Sequence, residues 1–477
     1  MDPSRQELLR NIPSVGVLLE DERLRRVTAG IPNRLVVESV RLAVDQTRAE
    51  LAAGSAGDVD PESLRTRIVE RVGRHLHAAA RPHFRKVINA TGIILHTALG
   101  RAVLPEKAVR QIADEIAGYS LLQADLETGR RARRDEPVER LLQRLTGAEA
   151  ATVVNNNAAA TSIVLNTVAK GKEVIVSRGQ LVEIGGSFRL PDVMAHSGAK
   201  LVEVGTTNKT HPRDYENAVT DNTAAIMRVH PSNYKITGFT SEVPLEELER
   251  IAHARGLVLI DDVGAGPLVD FSQFGFDREP TLPESVRTGA DLITSSADKL
   301  IGASQGGIIL GRADLIARIR KNPMARIVRV GKLTLAALEA TLTLFLDEAA
   351  ALREVPTLRM LRRDFGDVAG QADRIAAALR DRSARGAVEV VDGFSQMGSG
   401  SLPAQNLPTR LVAVAPDDLE PGELARRLRR HEPPVFARVK KGQVLLDPRT
   451  LLEGEEPTLV AAIVEACAGL PQARATP

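Results

Sequence analysis

Between about residue 138 and residue 350, short apolar runs alternate with stretches of helical periodicity. The runs ATVV (151–154), EVIVS (173–177), KLVEVG (200–205), AAIMRVH (224–230), LVLIDD (257–262), DLITS (291–295) and GIILG (307–311) are short and nearly continuous in their apolar character. Such runs read as strands covered on both faces. PLEELERIAHARG is the clearest intervening helix, closed by Gly256. Strand and helix alternating at this spacing predict an α/β domain built on a mainly parallel central sheet, with ligands bound beyond the carboxyl ends of the strands. Residues 1–86 read differently. LVVESVRLAVDQTRAELAA and PESLRTRIVERVGRHLHAAA place apolar residues three and four apart, with a break at Gly54–Gly57 and Pro61 at a helix start. After a helical zone from Leu333 to about Arg363, helix and strand alternate in a smaller α+β unit whose tail, PQARATP, is expected to fray. The expected organisation is a helical N-terminal domain and linker (1–86), a large α/β domain (87–350) and a small C-terminal α+β domain (351–477).

Composition narrows this picture mostly by exclusion. A chain of 477 residues that is 43% hydrophobic can bury sizeable cores, and Lys+Arg (63) nearly cancel Asp+Glu (61), so global charge points to no partner. The second N-terminal helix and its exit are locally basic, with Arg65, Arg67, Arg71, Arg74, Arg81, Arg85 and Lys86 against Glu62 and Glu70. Such a run is either a solvated face or the footprint of a phosphate backbone. The single cysteine, Cys467, excludes an intrachain disulfide and argues against a thiolate zinc site or a persulfide mechanism. Nine histidines are scattered, and no metal-ligating constellation emerges. No signal-like apolar core and no run of about 18 apolar residues is present, so a soluble cytoplasmic protein is expected.

Candidate chemistry gathers around DLITSSADKLIGASQGGIILG (291–311). A strand feeding a small-residue turn that holds Lys299 suits an amine that must stay neutral to attack an aldehyde. Ser296 offers a hydroxyl to a phosphate. NNNAAATS (155–162) follows a strand and opens a helix, so the region of Asn156, Asn157 and Ala158 presents N–H groups to a phosphate. LVLIDDVGAG (257–266) ends a strand in two aspartates, and Asp261 or, as second choice, Asp262 pairs with a protonated pyridine nitrogen. HPSNY (230–234) brings His230, Ser232 and Asn233 to the same sheet edge. Phosphate turn, aspartate and lysine in this order resemble the fold-type I pyridoxal-phosphate enzymes.

A narrower resemblance covers essentially the whole chain. KVINATGIILHTALGRAVLP, SRGQLVEIGGSFRLPDVMAHSGAKLVEVGTTNKTHPRDYE, DDVGAG, SSADKLIGASQGGIILG, NPMARIVRVGKLT and the late VLLDPRTL are similar to the blocks of the bacterial selenocysteine synthases, the L-seryl-tRNA(Sec) selenium transferases. The resemblance implies pyridoxal 5'-phosphate held by Lys299, and seryl-tRNA(Sec) as substrate. It further implies loss of the seryl hydroxyl through an aminoacrylyl intermediate and addition of selenium from selenophosphate. Arg101, Arg326 and Arg329 would clamp the donor's oxyanion, the last two sharing a helix face at a spacing of three. Asp298 falls in the family's active-site block as a proton relay or an arginine anchor. The family also implies tRNA recognition by the N-terminal domain, and a homo-oligomer, a ring of dimers forming a decamer, with active sites at the dimer interfaces. The competing expectations are a pyridoxal-phosphate lyase for a small phosphorylated amino acid or amino sugar acid, and a non-catalytic RNA-binding or cofactor-sensing protein. With no tryptophan and three tyrosines, no ring-stacking residue stands out.

Overall fold

The computed structural model describes residues 9–53, 60–80, 82–186, 188–382 and 386–468, so the expected break at Gly54–Gly57, Arg81 and the tail PQARATP lie outside the described residues. The described chain forms two compact units, the first ending at Val87 and the second spanning Ile88–Ala468.

In the first unit, helices α1 (Asn33–Ala53) and α2 (Pro61–Ala80) pack through Val36, Val40, Val44 and Leu51 on one side and Leu64, Ile68, Val72 and Leu76 on the other. These are the apolar positions of the three-and-four pattern, and α2 begins at Pro61 as the pattern predicts. The basic character of α2 is smaller than its own sequence implies, because acids on other elements reach it. Arg65 Nε lies 2.7 Å from Asp21 Oδ2. Arg71 forks onto Glu50 at 2.7 and 2.8 Å. Arg67 and Arg74 are exposed, and among the described residues neither has an ion-pair partner.

The second unit is built on seven strands: β1 (Ala150–Val154), β2 (Glu173–Ser177), β3 (Lys200–Val204), β4 (Thr223–Val229), β5 (Val258–Gly264), β6 (Leu292–Ser296) and β7 (Gly307–Gly311). Their order is β1-β7-β6-β5-β4-β2-β3. Only β7 runs antiparallel to its neighbours, and the other pairings are parallel. Both faces are covered. Ile226, Leu259, Ile293 and Ile308 enter one core, and Met227, Ile260, Leu292 and Ile309, one residue along, enter the other. This strict alternation decides below which of two adjacent aspartates meets the site. Helix α3 (Asn157–Ala169) packs on the second face. Gly307 lets β7 pass the start of α3, since a Cβ there would lie 2.1 Å from the Asn156 carbonyl oxygen.

The helical zone after residue 332 is three helices, Lys332–Leu344, Glu348–Glu354 and Pro356–Arg362, interrupted by the Asp347 cap and by Pro356 at a first helical position. Beyond it lies an antiparallel sheet of β8 (Ala387–Gly398), β9 (Ser401–Ala415), β10 (Arg438–Lys440) and β11 (Gln443–Leu446), in the order β8-β9-β11-β10. VLLDPRTL forms a buried polar hub after β11. Asp447 accepts hydrogen bonds from Ser395 Oγ (2.8 Å) and Thr409 Oγ1 (2.9 Å). The Arg449 guanidinium donates to Ser395 Oγ and to the carbonyls of Met360, Arg363 and Pro408. No helix among the described residues is long and apolar enough to cross a membrane.

Candidate active site

Strand β6 delivers Lys299 to the carboxyl edge of the sheet. The turn after it is closed by Ala297 N donating to Gly306 O (2.9 Å) and Gly302 N donating to Lys299 O (3.0 Å). Lys299 is buried at 5% exposure. Burial pushes its amine below the usual lysine range, and the nearby Arg101 guanidinium adds to this, against the opposing pull of Asp262 and Asp298. A neutral amine is the form that attacks a carbonyl, so burial here prepares a nucleophile. Arg101 sits at φ 62 after the short turn Thr97–Leu99, and its Nη1 donates to Asp298 Oδ2 at 2.7 Å. Asp298 thus holds an arginine immediately beside the lysine.

The two aspartates of β5 part company. Asp261 pairs in register with Arg228 and Ile293, and Asp262 with Val229 and Thr294. Asp261 therefore points into the first core, where it is fully buried, with Arg228 Nε 2.9 Å from its Oδ1. That ion pair is close in distance, but its angle leaves both Asp261 oxygens without a hydrogen bond. Asp262 points to the face that carries α3 and the lysine. Asn157 Nδ2 donates to its Oδ1 (2.9 Å), Thr161 Oγ1 to its Oδ2 (3.0 Å), and Gly264 N to its Oδ1 (3.1 Å). Burial raises the Asp262 pKa, and these donors pull the other way. Thr161 does not stand out in the sequence, although it lies four residues after Asn157, on the same face of the helix.

At the phosphate turn, Asn156 caps its own helix, its Oδ1 accepting from Ala159 N at 2.9 Å. The first N–H groups of α3, on Asn157 and Ala158, have no acceptor within the helix. Asn157 Oδ1 is buried without a partner. Ser296 ends β6 opposite Gly307, the residue that passes Asn156, so its hydroxyl lies at the same turn.

His230 follows β4, and its N–H donates to the Asp262 carbonyl at 2.9 Å. Its ring turns to Glu279, with Nε2 3.2 Å from Oε2. Burial holds His230 down to about 4 and pushes Glu279 up to about 7. Near neutral pH the pair is therefore a neutral imidazole beside a half-protonated carboxyl. Asn233 donates to the Glu183 carbonyl at 2.8 Å, while its Oδ1 and the Ser232 hydroxyl are buried without partners. Because Glu279 keeps its proton to a higher pH folded than unfolded, it costs stability as pH rises from about 4.5 towards 7 and beyond. Glu279→Gln is expected to raise the thermal midpoint by a few degrees at pH 8 and to leave it nearly unchanged at pH 5, as read by calorimetry.

Arg326 and Arg329 do not share a helix face. The helix here is four residues long, Met324–Ile327, and Arg329 lies beyond its end in an isolated bridge with Val154. Asn155 N donates to Val328 O (3.0 Å), so this segment runs beside the entrance to the phosphate turn. Both arginines are exposed, and among the described residues neither has an ion-pair partner. Arg134, held by Val330 O and Gln123, joins them, and burial together with Arg329 and Arg326 lowers its pKa. It comes from the loop LETGRRARRDEP, whose arginine density is its only signal in the sequence. The structure therefore forms two cationic groups, Arg101 beside Asp298 and Lys299, and Arg134 with Arg326 and Arg329.

Residues 87–452 match the family described as L-seryl-tRNA selenium transferase, and residues 9–48 match the selenocysteine synthase N-terminal domain. The chain belongs to the L-seryl-tRNA selenium transferase family. Its relative from Desulfomicrobium baculatum, named L-seryl-tRNA(Sec) selenium transferase, is 48% identical over 460 residues, covering 96% of this chain and 98% of that one. The relative of the same name from Geobacter sulfurreducens is 47% identical, with 96% and 99% covered. Among solved structures, D-glucosaminate-6-phosphate ammonia-lyase shares the fold, with a TM-score of 0.54 at 23% identity over 81% of this chain and 96% of that one.

The cofactor of this selenium transferase is pyridoxal 5'-phosphate. The donor set fits it. A buried amine of lowered pKa, a buried carboxylate oriented by three donors, and free N–H groups at a helix start lie on one side of the sheet.

Proposed function

We propose that this enzyme converts seryl-tRNA(Sec) to selenocysteyl-tRNA(Sec): the seryl β-hydroxyl and the α-proton leave as water, selenium from selenophosphate adds at the β-carbon, and water cleaves the P–Se bond to release phosphate. The observation that carries the reading is Lys299, buried beside Arg101 and Asp262 at the carboxyl edge of the sheet, in a chain matching seryl-tRNA selenium transferases over 96% of its length. Pyridoxal phosphate, when bound, supplies an electron sink for the pair left behind at the substrate's α-carbon. Lys299 would hold the cofactor through its aldehyde, and its amine, with the neutral form favoured by burial, would accept the seryl α-proton. Asp262 keeps the pyridine nitrogen protonated, and Asn157 and Thr161 hold that carboxylate in position. The N–H groups of Asn157 and Ala158, with the Ser296 hydroxyl, receive the phosphate. Asp298 orients Arg101 to receive the oxygens of selenophosphate, a tetrahedral anion suited to guanidinium forks, while Arg326 and Arg329, in the separate group with Arg134 beside the phosphate turn, offer a second cationic site to the same anion.

The tRNA is assigned to the first unit, chiefly through phosphate and shape, as duplex RNA offers few readable base edges. Arg67 and Arg74 are seven residues apart on one face of α2 and lack acid partners, which makes them the best phosphate ligands there. Replacing both by alanine is expected to weaken tRNA binding and to lower the slope of log affinity against log salt by about 1 for each phosphate no longer neutralised. An unchanged salt slope in filter-binding assays would remove them from the interface. A cytoplasmic ring of dimers, a decamer, completes the proposal, and its mass is measurable by analytical ultracentrifugation. The reaction itself is tested by supplying radiolabelled selenophosphate with seryl-tRNA(Sec). Label must appear on the tRNA only when pyridoxal phosphate is present, and label never reaching the tRNA would defeat the reading.

A further inference from the structure

No candidate site residue of the sequence falls in the small C-terminal sheet, yet the tip of its long hairpin touches the segment that carries Arg101. Strand β8 ends at Gly398 after a register shift between Gln396 and Gly398, and three consecutive residues then take left-handed backbone: Gly398 (φ 82), Ser399 (φ 52) and Gly400 (φ 64). Leu402, buried at 4%, is also left-handed at φ 52. A bulky non-glycine residue in this region is held there by its surroundings, and such outliers gather where geometry serves a function.

The surroundings are specific. Ile94 N and Leu95 N donate to the carbonyls of Gln396 (2.9 Å) and Met397 (2.7 Å). Ser399 Oγ donates to the Leu95 carbonyl (2.6 Å) and lies 2.9 Å from Thr97 Oγ1. A Cβ on Gly398 would meet Ile93 Cγ2 at 2.4 Å, and one on Gly400 would meet Asn233 Cβ at 2.9 Å. The tip is thus wedged between residues 93–97 and Asn233. Further back, the same segment is fixed by the buried hub. Gly92 N donates to Thr450 Oγ1 (3.0 Å), and a Cβ on Gly92 would overlap Asp447 Oδ2. From Thr97 the chain makes one short turn, closed by Arg101 N donating to His96 O (3.0 Å), before Arg101 reaches Asp298.

We propose that Ser399 is a positioning residue for Arg101: its hydroxyl, bound to Leu95 and Thr97, fixes the turn from which the guanidinium is presented beside Lys299. The proposal rests on the reading that Arg101 receives the anionic part of the selenium donor. Ser399 acts on the anion through Leu95 and Thr97, so its effect falls on how well an anion is held.

The test uses full-length enzyme loaded with pyridoxal phosphate and inorganic phosphate as the probe, with affinity read by calorimetry and KM and kcat measured separately. Ser399→Ala is expected to weaken phosphate about tenfold and raise KM for selenophosphate by a similar factor, with kcat changed less than about threefold. Ser399→Gly relieves the backbone but supplies no donor, and is expected to match Ser399→Ala. Ser399→Asn tolerates left-handed backbone and carries an amide donor, and is expected to recover most of the affinity. Where Ser399→Ala does not fold, Thr97→Val removes the hydroxyl partner from the exposed side and is expected to weaken phosphate about threefold.

A Ser399→Gly variant indistinguishable from wild type would overturn the proposal, leaving only a backbone role. So would unchanged phosphate affinity in Ser399→Ala, or in Thr97→Val should it stand alone. Arg101→Ala separates the two levels. Unchanged phosphate affinity in that variant defeats the anion-clamp reading itself. Weaker phosphate there, with Ser399→Ala unaffected, defeats this proposal alone.

Discussion

Lys299→Ala is expected to abolish turnover, with a loss of at least about 10³-fold, and to remove the visible absorbance band of the bound cofactor. The environment of Lys299, rather than the residue type, produces this effect. An exposed lysine at its ordinary pKa is almost wholly protonated near neutral pH, and a protonated amine does not attack a carbonyl. Burial of Lys299, helped by the Arg101 guanidinium and opposed by Asp262 and Asp298, lowers its pKa and so favours the neutral form. The substitution removes a side chain whose charge is already disfavoured by burial, so the fold is expected to survive, with a thermal midpoint close to wild type. Lys299→Arg provides the control, because it retains a cation that cannot become a nucleophile and should be equally inactive. A Lys299→Ala protein that keeps both its colour and its turnover would show that another amine does the work.

The second large effect separates the neighbouring aspartates. Asp262→Asn is expected to lower kcat by about 10²–10³-fold, since an amide cannot keep the ring nitrogen protonated, while the cofactor remains held by Lys299 and the phosphate turn. Asp261→Asn is expected to do the opposite. It leaves the largely covered Arg228 guanidinium, 14% exposed, facing a neutral amide, a loss of about 3 kcal/mol in stability, with the cofactor spectrum unchanged where the protein is folded. Kinetics and thermal unfolding on the two variants check both halves. A kinetic defect confined to Asp261→Asn would reverse the assignment and restore the residue that the sequence favours.

That pair shows where sequence reasoning runs out. The strands EVIVS and GIILG have their predicted limits because strands covered on both faces are continuous apolar runs with abrupt ends. Lysine, phosphate turn and aspartates are legible as a set because each ends or closely follows such a run, DLITS, ATVV and LVLIDD. Which aspartate faces the lysine is not, since both end the same apolar run. It follows from the register Asp262↔Thr294, a property of pairing rather than of composition. The shared helix face expected for Arg326 and Arg329 fails because Val328 ends the helix one residue too soon. The acids that neutralise Arg65 and Arg71 come from Asp21 and Glu50, which are distant in sequence from α2. The hairpin tip at 398–400 carries only the Gly-Ser signature of a turn, and its meaning lies in Leu95 and Thr97, some 300 residues away.

The central claim is that this site eliminates the hydroxyl from serine only when the serine is esterified to its tRNA. The most direct measurement is the absorbance spectrum of enzyme loaded with pyridoxal phosphate after mixing with seryl-tRNA(Sec), with selenophosphate withheld and free serine as the control. A spectral change is expected with the charged tRNA and none with free serine. A coloured enzyme unmoved by seryl-tRNA(Sec), or one that responds equally to free serine, would contradict it and return the site to a small-molecule lyase.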